Sequence, residues 1–374
     1  MLERIITKAT EMKASDIHIV CGIPIRFRVD GQLQDMEAHP VTEEECRMYA
    51  RELGEDVLQT AKEVGEADLA ITLCGRRLRV NLFKQQDKFS LAIRLLNDKI
   101  PNLEDLKLPE VVATFSEYRN GLVLVTGETG SGKSTTLAAL INRINQSSYS
   151  HIITLEDPIE YVYTPQKCVI NQREIGKDTQ SFATGLRAAL REDPNVILVG
   201  EMRDLDTIET ALTAAETGHL VFGTVHTNSA SDAVDRIVDV FPEGRQRQIR
   251  LQLSMSLRAV VSQQLLPKIG GGRVAACEIM VVDYAIANLI REEKTHQINN
   301  TIQTSSGTGC ILMEHAVNKL RTSGMITPET AAKATGKLAG RETAPMSIGT
   351  TNATARGTMT QLGYDMIEPR RPKI

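Results

Sequence analysis

A chain of 374 residues, 41% of them hydrophobic, can bury two proper cores, which excludes a protein that folds only on its partner. A formal charge of −4 excludes the strongly basic surface by which proteins neutralise nucleic-acid phosphates. Six scattered cysteines without a C-x-x-C pair exclude a zinc motif and a disulfide framework, and read as reduced core thiols of a cytoplasmic protein.

The N-terminal stretch MLERIITKATEMK carries acidic residues and no apolar run of signal-peptide length. The longest apolar runs are strand-sized, so a membrane is expected to be reached only indirectly, through another protein. Residues 1–96 read as α+β. IPIRFRVDGQLQDM (23–36) is two alternating strands joined at Asp30-Gly31. VTEEECRMYARELGED (41–56) opens a helix with Thr42 and Glu45 in capping-box spacing. RRLRVNLF and SLAIRLL add two strands, and NDKIPNLEDLKLPE (97–110) reads as a linker.

From residue 121 the pattern changes. GLVLVT, HIITL, NVILVG and HLVFGTV are short, almost continuously apolar runs, as expected of parallel strands buried on both faces. Helical stretches such as SFATGLRAALRE and DTIETALTAAET separate some of them, giving a helix-covered parallel sheet. Residues 243–332 read as mostly helical. The Thr/Ala/Gly/Pro-rich remainder reads as disordered. The expected domains are therefore 1–100, 101–332 and a tail at 333–374.

GETGSGKS fits G-x-x-x-x-G-K-[ST] between an apolar strand and a helical pattern, the context this phosphate-binding loop requires. The loop residues Gly127, Glu128, Thr129, Gly130, Ser131, Gly132, Lys133, Ser134 and Thr135 are the expected nucleotide contacts. Gly130 and Gly132 let backbone amides close around phosphates at a helix N-terminus. Lys133 would reach the β- and γ-phosphates of ATP, and the Ser134 hydroxyl would hold Mg²⁺.

Other strands end in polar residues: IITL in Glu156, Asp157 and Glu160, VILVG in Glu201, Arg203 and Asp204, LVFGTV in His226. In an open α/β sheet, ligands bind outside the carboxyl ends of the strands, so these residues should converge on the nucleotide. Glu201 sits where a metal-binding acid belongs and would hold Mg²⁺ through water. Glu160 would then orient or deprotonate the attacking water. His219 and His226 bracket one strand, roughly 20 Å apart at about 3.3 Å per residue, so they cannot share a ligand. His226 is placed for the γ-phosphate and His219 for the far edge. Arg26 and Arg28 share one face of their strand, Arg77 and Arg79 share one face of theirs, and Arg94 interrupts LAIRLL. These arginines are either a solvated face paired with acids or, for some, fingers reaching a neighbouring subunit's triphosphate.

Taken in order, the phosphate loop, EDPIEY, GEMRD and TGHLVFGTVHTNSA resemble the secretion-superfamily traffic ATPases, most nearly their type IV pilus retraction branch. The resemblance runs from SDIHIVCGIPIRFRVDGQL to about residue 332. It implies a RecA-like P-loop NTPase core carrying a smaller α+β, PAS-like N-terminal domain, assembled as a homohexamer. It further implies an ATPase whose catalytic carboxylate is Glu160, whose N-terminal arginines facing the nucleotide are Arg79 and Arg94, and in which His219 couples at a domain or subunit contact. The implied partner is an inner-membrane pilus platform protein, with the ring at the inner face of the cell membrane. Asn195 and Ala287 depart from the branch's usual Asp and Arg.

Three other readings compete. A pilus assembly or type II secretion ATPase would carry an extra N-terminal domain and four zinc-binding cysteines. A non-catalytic NTP-binding switch would not need intact Lys133, Glu160 and Glu201. A DNA-translocating ring is disfavoured by charge and by the scarcity of aromatic residues, with no Trp and seven each of Phe and Tyr.

Overall fold

The computed structural model describes residues 1–336 apart from Asp30, Asn97 and Asp98. Of the tail expected to be disordered from residue 333, Lys333 and Ala334 instead end a helix, and the part from 337 onward lies outside the described residues.

The first part of the chain runs α1 (Leu2–Glu11), β1 (Asp16–Val20), β2 (Pro24–Val29), β3 (Gln32–Pro40), α2 (Glu43–Glu52), α3 (Glu55–Val64), β4 (Glu66–Leu73), β5 (Arg76–Gln85) and β6 (Lys88–Leu95). The six strands form one antiparallel sheet in the order β3-β2-β1-β6-β5-β4. Alternation decides its two faces. In β5, Leu78, Val80 and Leu82 are buried with Ile6, Ile17, Phe27 and Ile93, while Arg77 and Arg79 lie on the other face. The expected capping box is present: Thr42 accepts from the Glu45 amide, and the Glu45 carboxylate accepts from the Thr42 amide.

The second part continues with α4 (Val111–Thr114), β7 (Gly121–Thr126), α5 (Lys133–Ser147), β8 (His151–Glu156), β9 (Val169–Glu174), α6 (Phe182–Ala189), β10 (Val196–Val199), α7 (Leu205–Glu216) and β11 (Leu220–Val225). It ends with α8 (Ala230–Asp239), α9 (Glu243–Ser256), β12 (Leu257–Pro267), β13 (Arg273–Val281), α10 (Tyr284–Arg291), α11 (Ile298–Thr304), α12 (Met313–Thr322) and α13 (Pro328–Ala334). Seven strands form a second sheet, ordered β13-β12-β7-β11-β10-β8-β9, parallel throughout except for the β12–β13 hairpin.

Every residue of β7, β10 and β11 is buried. Leu122 and Leu124 face the cluster built on α7, α8 and α9. Val123 and Val125 face the one built on α5. At roughly 1.5–3 kcal/mol for each large apolar side chain buried, the two layers fix which way every strand faces. This is the expected RecA-like core with its smaller α+β partner.

Two expectations need correction. Residues 243–332 carry helices α9 to α13, but they also hold a hairpin that the helical reading passes over, β12 and β13, which extends the sheet. The polar Ser262 and Gln263 interrupt the apolar run of β12 yet are themselves buried, so the pattern hides a strand. Gly270, Gly271 and Gly272, all at positive φ, form the turn and were the available signal. The cysteines are free, but only Cys46, Cys168, Cys277 and Cys310 are core thiols; Cys21 is half-buried and Cys74 exposed.

Candidate functional site

Register places the site. Val225 pairs with Thr126, so His226 follows its strand beside Gly127. Val199 pairs with Gly223 on one side and Leu155 on the other, so Glu201 leaves the sheet between His226 and the segment 156–160. The polar residues that end four strands therefore meet at one edge, as the strand pattern predicts.

The phosphate loop is built for close backbone approach. Gly127 has φ +140° and Gly132 +94°. A Cβ at Gly132 would lie 2.7 Å from Gln263 Nε2, and one at Gly127 would collide with the Gln263 carbonyl. Helix α5 has no side-chain N-cap, leaving its first amides for an anion. Ser131 Oγ is buried without a hydrogen-bond partner. A cleft of about 510 Å³ opens here, lined by Glu128–Ser131, Asn228, Gln263–Leu266 and, from α13, Lys333 and Ala334. These features fit a bound polyphosphate.

Lys133 Nζ donates to the Gly127 carbonyl at 2.7 Å and to the Glu128 carbonyl at 3.0 Å. Burial lowers its pKa, while the Glu201 and Glu160 carboxylates pull it back up. Both acids are thus electrostatic neighbours of the loop lysine. A phosphate would replace two neutral carbonyls with anionic oxygens. Ser134 is exposed on the first turn of α5. Thr135 Oγ1 lies 2.9 Å from the Tyr161 hydroxyl, tying the loop to the segment after β8.

Glu201 Oε1 meets His226 Nε2 at 2.9 Å and also binds Arg203 Nε. No hydrogen bond to its second oxygen occurs among the described residues, which leaves it for a metal-bound water. Ser134 and Glu201 fit Mg²⁺ in that way. His226 has its pKa lowered by burial and by the Lys133 and Arg203 charges, against the pull of Glu201. Its imidazole is therefore neutral near pH 7.

Glu160 is half-buried and Asp157 exposed, on a turn with a cis Asp157–Pro158 peptide. The Glu160 backbone amide donates to the Glu156 carboxylate, whose pKa burial raises although its hydrogen bonds with Thr154 and Gln172 oppose this. The Glu160 carboxylate itself is not engaged by any hydrogen bond among the described residues.

Three expected residues lie elsewhere. His219 Nδ1 is 3.0 Å from the Ala214 carbonyl and 3.3 Å from Thr217 Oγ1, closing the C-terminus of α7 at the opposite edge of the sheet. Arg79 and Arg94 are cross-strand neighbours on β5 and β6. Arg94 donates to Asp16 at 2.9 Å, and Arg79 is exposed. No hydrogen bond or ion pair joins either to the phosphate loop of its own chain among the described residues. The N-terminal arginine that does reach the second sheet is Arg77, at 2.7 Å from Glu174. The sequence pattern already puts Glu156 among the strand-end residues and Arg77 among the arginines read as either an acid-paired face or fingers, whereas it does not single out Glu174, Tyr161, Gln263 and Lys333 as site residues.

A family model described as type II/IV secretion system protein matches residues 1–361. The type IV pilus retraction ATPase PilT of Pseudomonas aeruginosa is 47% identical over 320 residues, covering 85% of this chain and 93% of that protein. An uncharacterised Escherichia coli K12 protein, YggR, is 48% identical over 317 residues, covering 84% of this chain and 96% of its own. A crystal structure of the pilus retraction motor PilT with bound ADP superposes with a TM-score of 0.84 at 48% identity, covering 89% of this chain and 96% of that one.

Proposed function

The chain belongs to the type II/IV secretion system protein family, and from that premise we propose that it is a Mg²⁺-dependent ATPase that drives type IV pilus retraction as a homohexameric ring. The observation that carries the reading is convergence: Lys133, Glu160, Glu201 and His226 come from four strand ends to one anion-binding loop. A retraction motor of the same fold binds ADP.

Lys133 and the α5 amides bind the β- and γ-phosphates. Mg²⁺, when bound, neutralises charge between those phosphates. Ser134 and Glu201 would hold it, Glu201 through water. Glu160 takes the proton of the attacking water with its unengaged carboxylate. His226, neutral and bonded to Glu201, sits where it reads the γ-phosphate through that acid. Arg79 and Arg94, exposed on the N-terminal sheet and away from their own loop, complete a neighbouring subunit's site. The domain division follows: an N-terminal unit to about residue 100 and a motor unit from about 101 to 332.

No helix among the described residues is long and apolar enough to cross a membrane. In the proposed role the ring works from the cytoplasmic side, on an inner-membrane platform protein that it reaches by contact. Deleting the gene and scoring surface pili tests the direction of work. Retraction predicts that pili accumulate and twitching stops. Loss of pili would instead mark an assembly or secretion motor, and unchanged pili a different role.

A further inference from the structure

Glu174, the last residue of β9, is a buried carboxylate with only 6% of its side chain exposed. A charge so placed is costly unless it is paired and fully hydrogen-bonded. Arg77 Nη2 reaches Glu174 Oε2 at 2.7 Å, and Lys177 Nζ reaches Oε1 at 2.5 Å. Both cations also tie this point to the N-terminal sheet: Arg77 belongs to β5, and Lys177 donates to the Ala70 carbonyl of β4 at 3.0 Å.

The same cluster grips the peptide that leads into Glu160. Glu174 Oε2 accepts from the Ile159 amide at 3.3 Å, and Arg77 Nε donates to the Ile159 carbonyl at 3.3 Å. That carbonyl and the Glu160 amide share one planar peptide unit, so holding one fixes the other. The Glu160 amide is in turn held by Glu156. An exposed pair such as Arg26–Asp35, half in solvent on the same sheet, has no such connection.

We propose that Arg77, through Glu174 and Ile159, is a positioning residue for Glu160, so that the seating of the N-terminal sheet on the motor sheet sets the rate of hydrolysis. This rests on the reading of Glu160 as the general base. When the N-terminal sheet is seated, Arg77 and Glu174 hold the turn and Glu160 is aimed. When it lifts, the Ile159 peptide loses both partners and the carboxylate is free to wander. A misplacement of about 1 Å can cost about 10²-fold in rate while leaving binding untouched.

The test uses the full-length protein, with steady-state ATP turnover and fluorescent-nucleotide affinity measured side by side. Arg77→Ala should lower kcat by about 10-fold or more at a nucleotide affinity that stays within about twofold. Arg77→Lys keeps the charge on Glu174 and should recover part of the loss. Glu174→Gln keeps an oxygen for the Ile159 amide, so it should fold even if Arg77→Ala does not, and should slow turnover at unchanged affinity. In single-turnover measurements, Arg77→Ala should add nothing to Glu160→Gln, because both act through one carboxylate. Turnover unchanged by Arg77→Ala and Glu174→Gln overturns the proposal. So do a parallel loss of nucleotide affinity and losses that multiply with that of Glu160→Gln. Wild-type turnover by Glu160→Gln alone would instead overturn the reading of Glu160 as base.

Discussion

The two sheets of this chain are stabilised and used differently. The motor sheet is covered on both faces, so β7, β10 and β11 are buried along their whole length and chemistry is confined to the strand ends. The N-terminal sheet is covered on one face, and alternate residues of the other carry Arg26, Arg28, Arg77 and Arg79. A sheet buried on both sides offers only its edges to a ligand. A sheet buried on one side offers a face to polar partners, and here that face carries arginines mostly paired with carboxylates: Arg26 with Asp35, Arg28 and Arg94 with Asp16, and Arg77 with Glu174 of the motor sheet.

The sharpest way to break this contrast is through stability. Phe222, fully buried in β11, should cost about 3–5 kcal/mol when cut to Ala, by cavity formation. Denaturant unfolding measures it. A cost near that of an exposed arginine, about 0–1 kcal/mol, would show that the two sheets are not packed as described.

Next comes chemistry at the motor edge. Glu160→Gln should lose about 10²-fold in turnover while still binding Mg-ATP. Equilibrium nucleotide binding and steady-state hydrolysis together decide it. Within the N-terminal part, Thr42→Ala removes the side-chain half of the capping box, the Thr42 hydroxyl that accepts from the Glu45 amide, while the backbone half stays, and should cost about 1 kcal/mol with ATP turnover unchanged. A drop in turnover there would mean that the stability of the α2 region feeds directly into the motor.

The smallest effect is a titration. His226 has its pKa held below the ordinary 6.5 by burial and by Lys133 and Arg203. Glu201→Gln removes the one influence that raises it, so the NMR titration of His226 should move to still lower pH. The sign for stability follows: below about pH 6.5 the unfolded imidazole takes up a proton before the folded one does. The stabilising contribution of neutral His226 is therefore complete above that range and declines as the pH falls towards the folded value. An upward shift in Glu201→Gln would show that the two side chains are not paired.

Much of this was legible because it is local. The phosphate loop, the hairpin at Gly31 and the Thr42–Glu45 box are each written within a few residues. The strand-end acids were legible because a parallel sheet collects its carboxyl ends at one edge. The β12–β13 hairpin was not, because Ser262 and Gln263 are polar residues that the fold buries beside Thr126 and Thr136. The Arg77–Glu174 contact spans 97 residues and two sheets, and no local pattern encodes such a pair. His219 shows the converse: its place at the start of β11 was readable, but the hydrogen bond that closes α7 depends on how the turn packs.

In the proposed motor, the arginine face of another subunit's N-terminal sheet completes the motor edge. Mixing tests it most directly. Rings of Arg94→Ala chains and rings of Lys133→Ala chains should each be inactive, the former because an arginine supplied in trans can be worth about 10³-fold. Mixed rings contain interfaces where an intact Lys133 meets an intact Arg94, so they should regain measurable ATP turnover. Mixed rings that remain inactive, with co-assembly verified, would contradict the claim and return Arg94 to its pairing with Asp16.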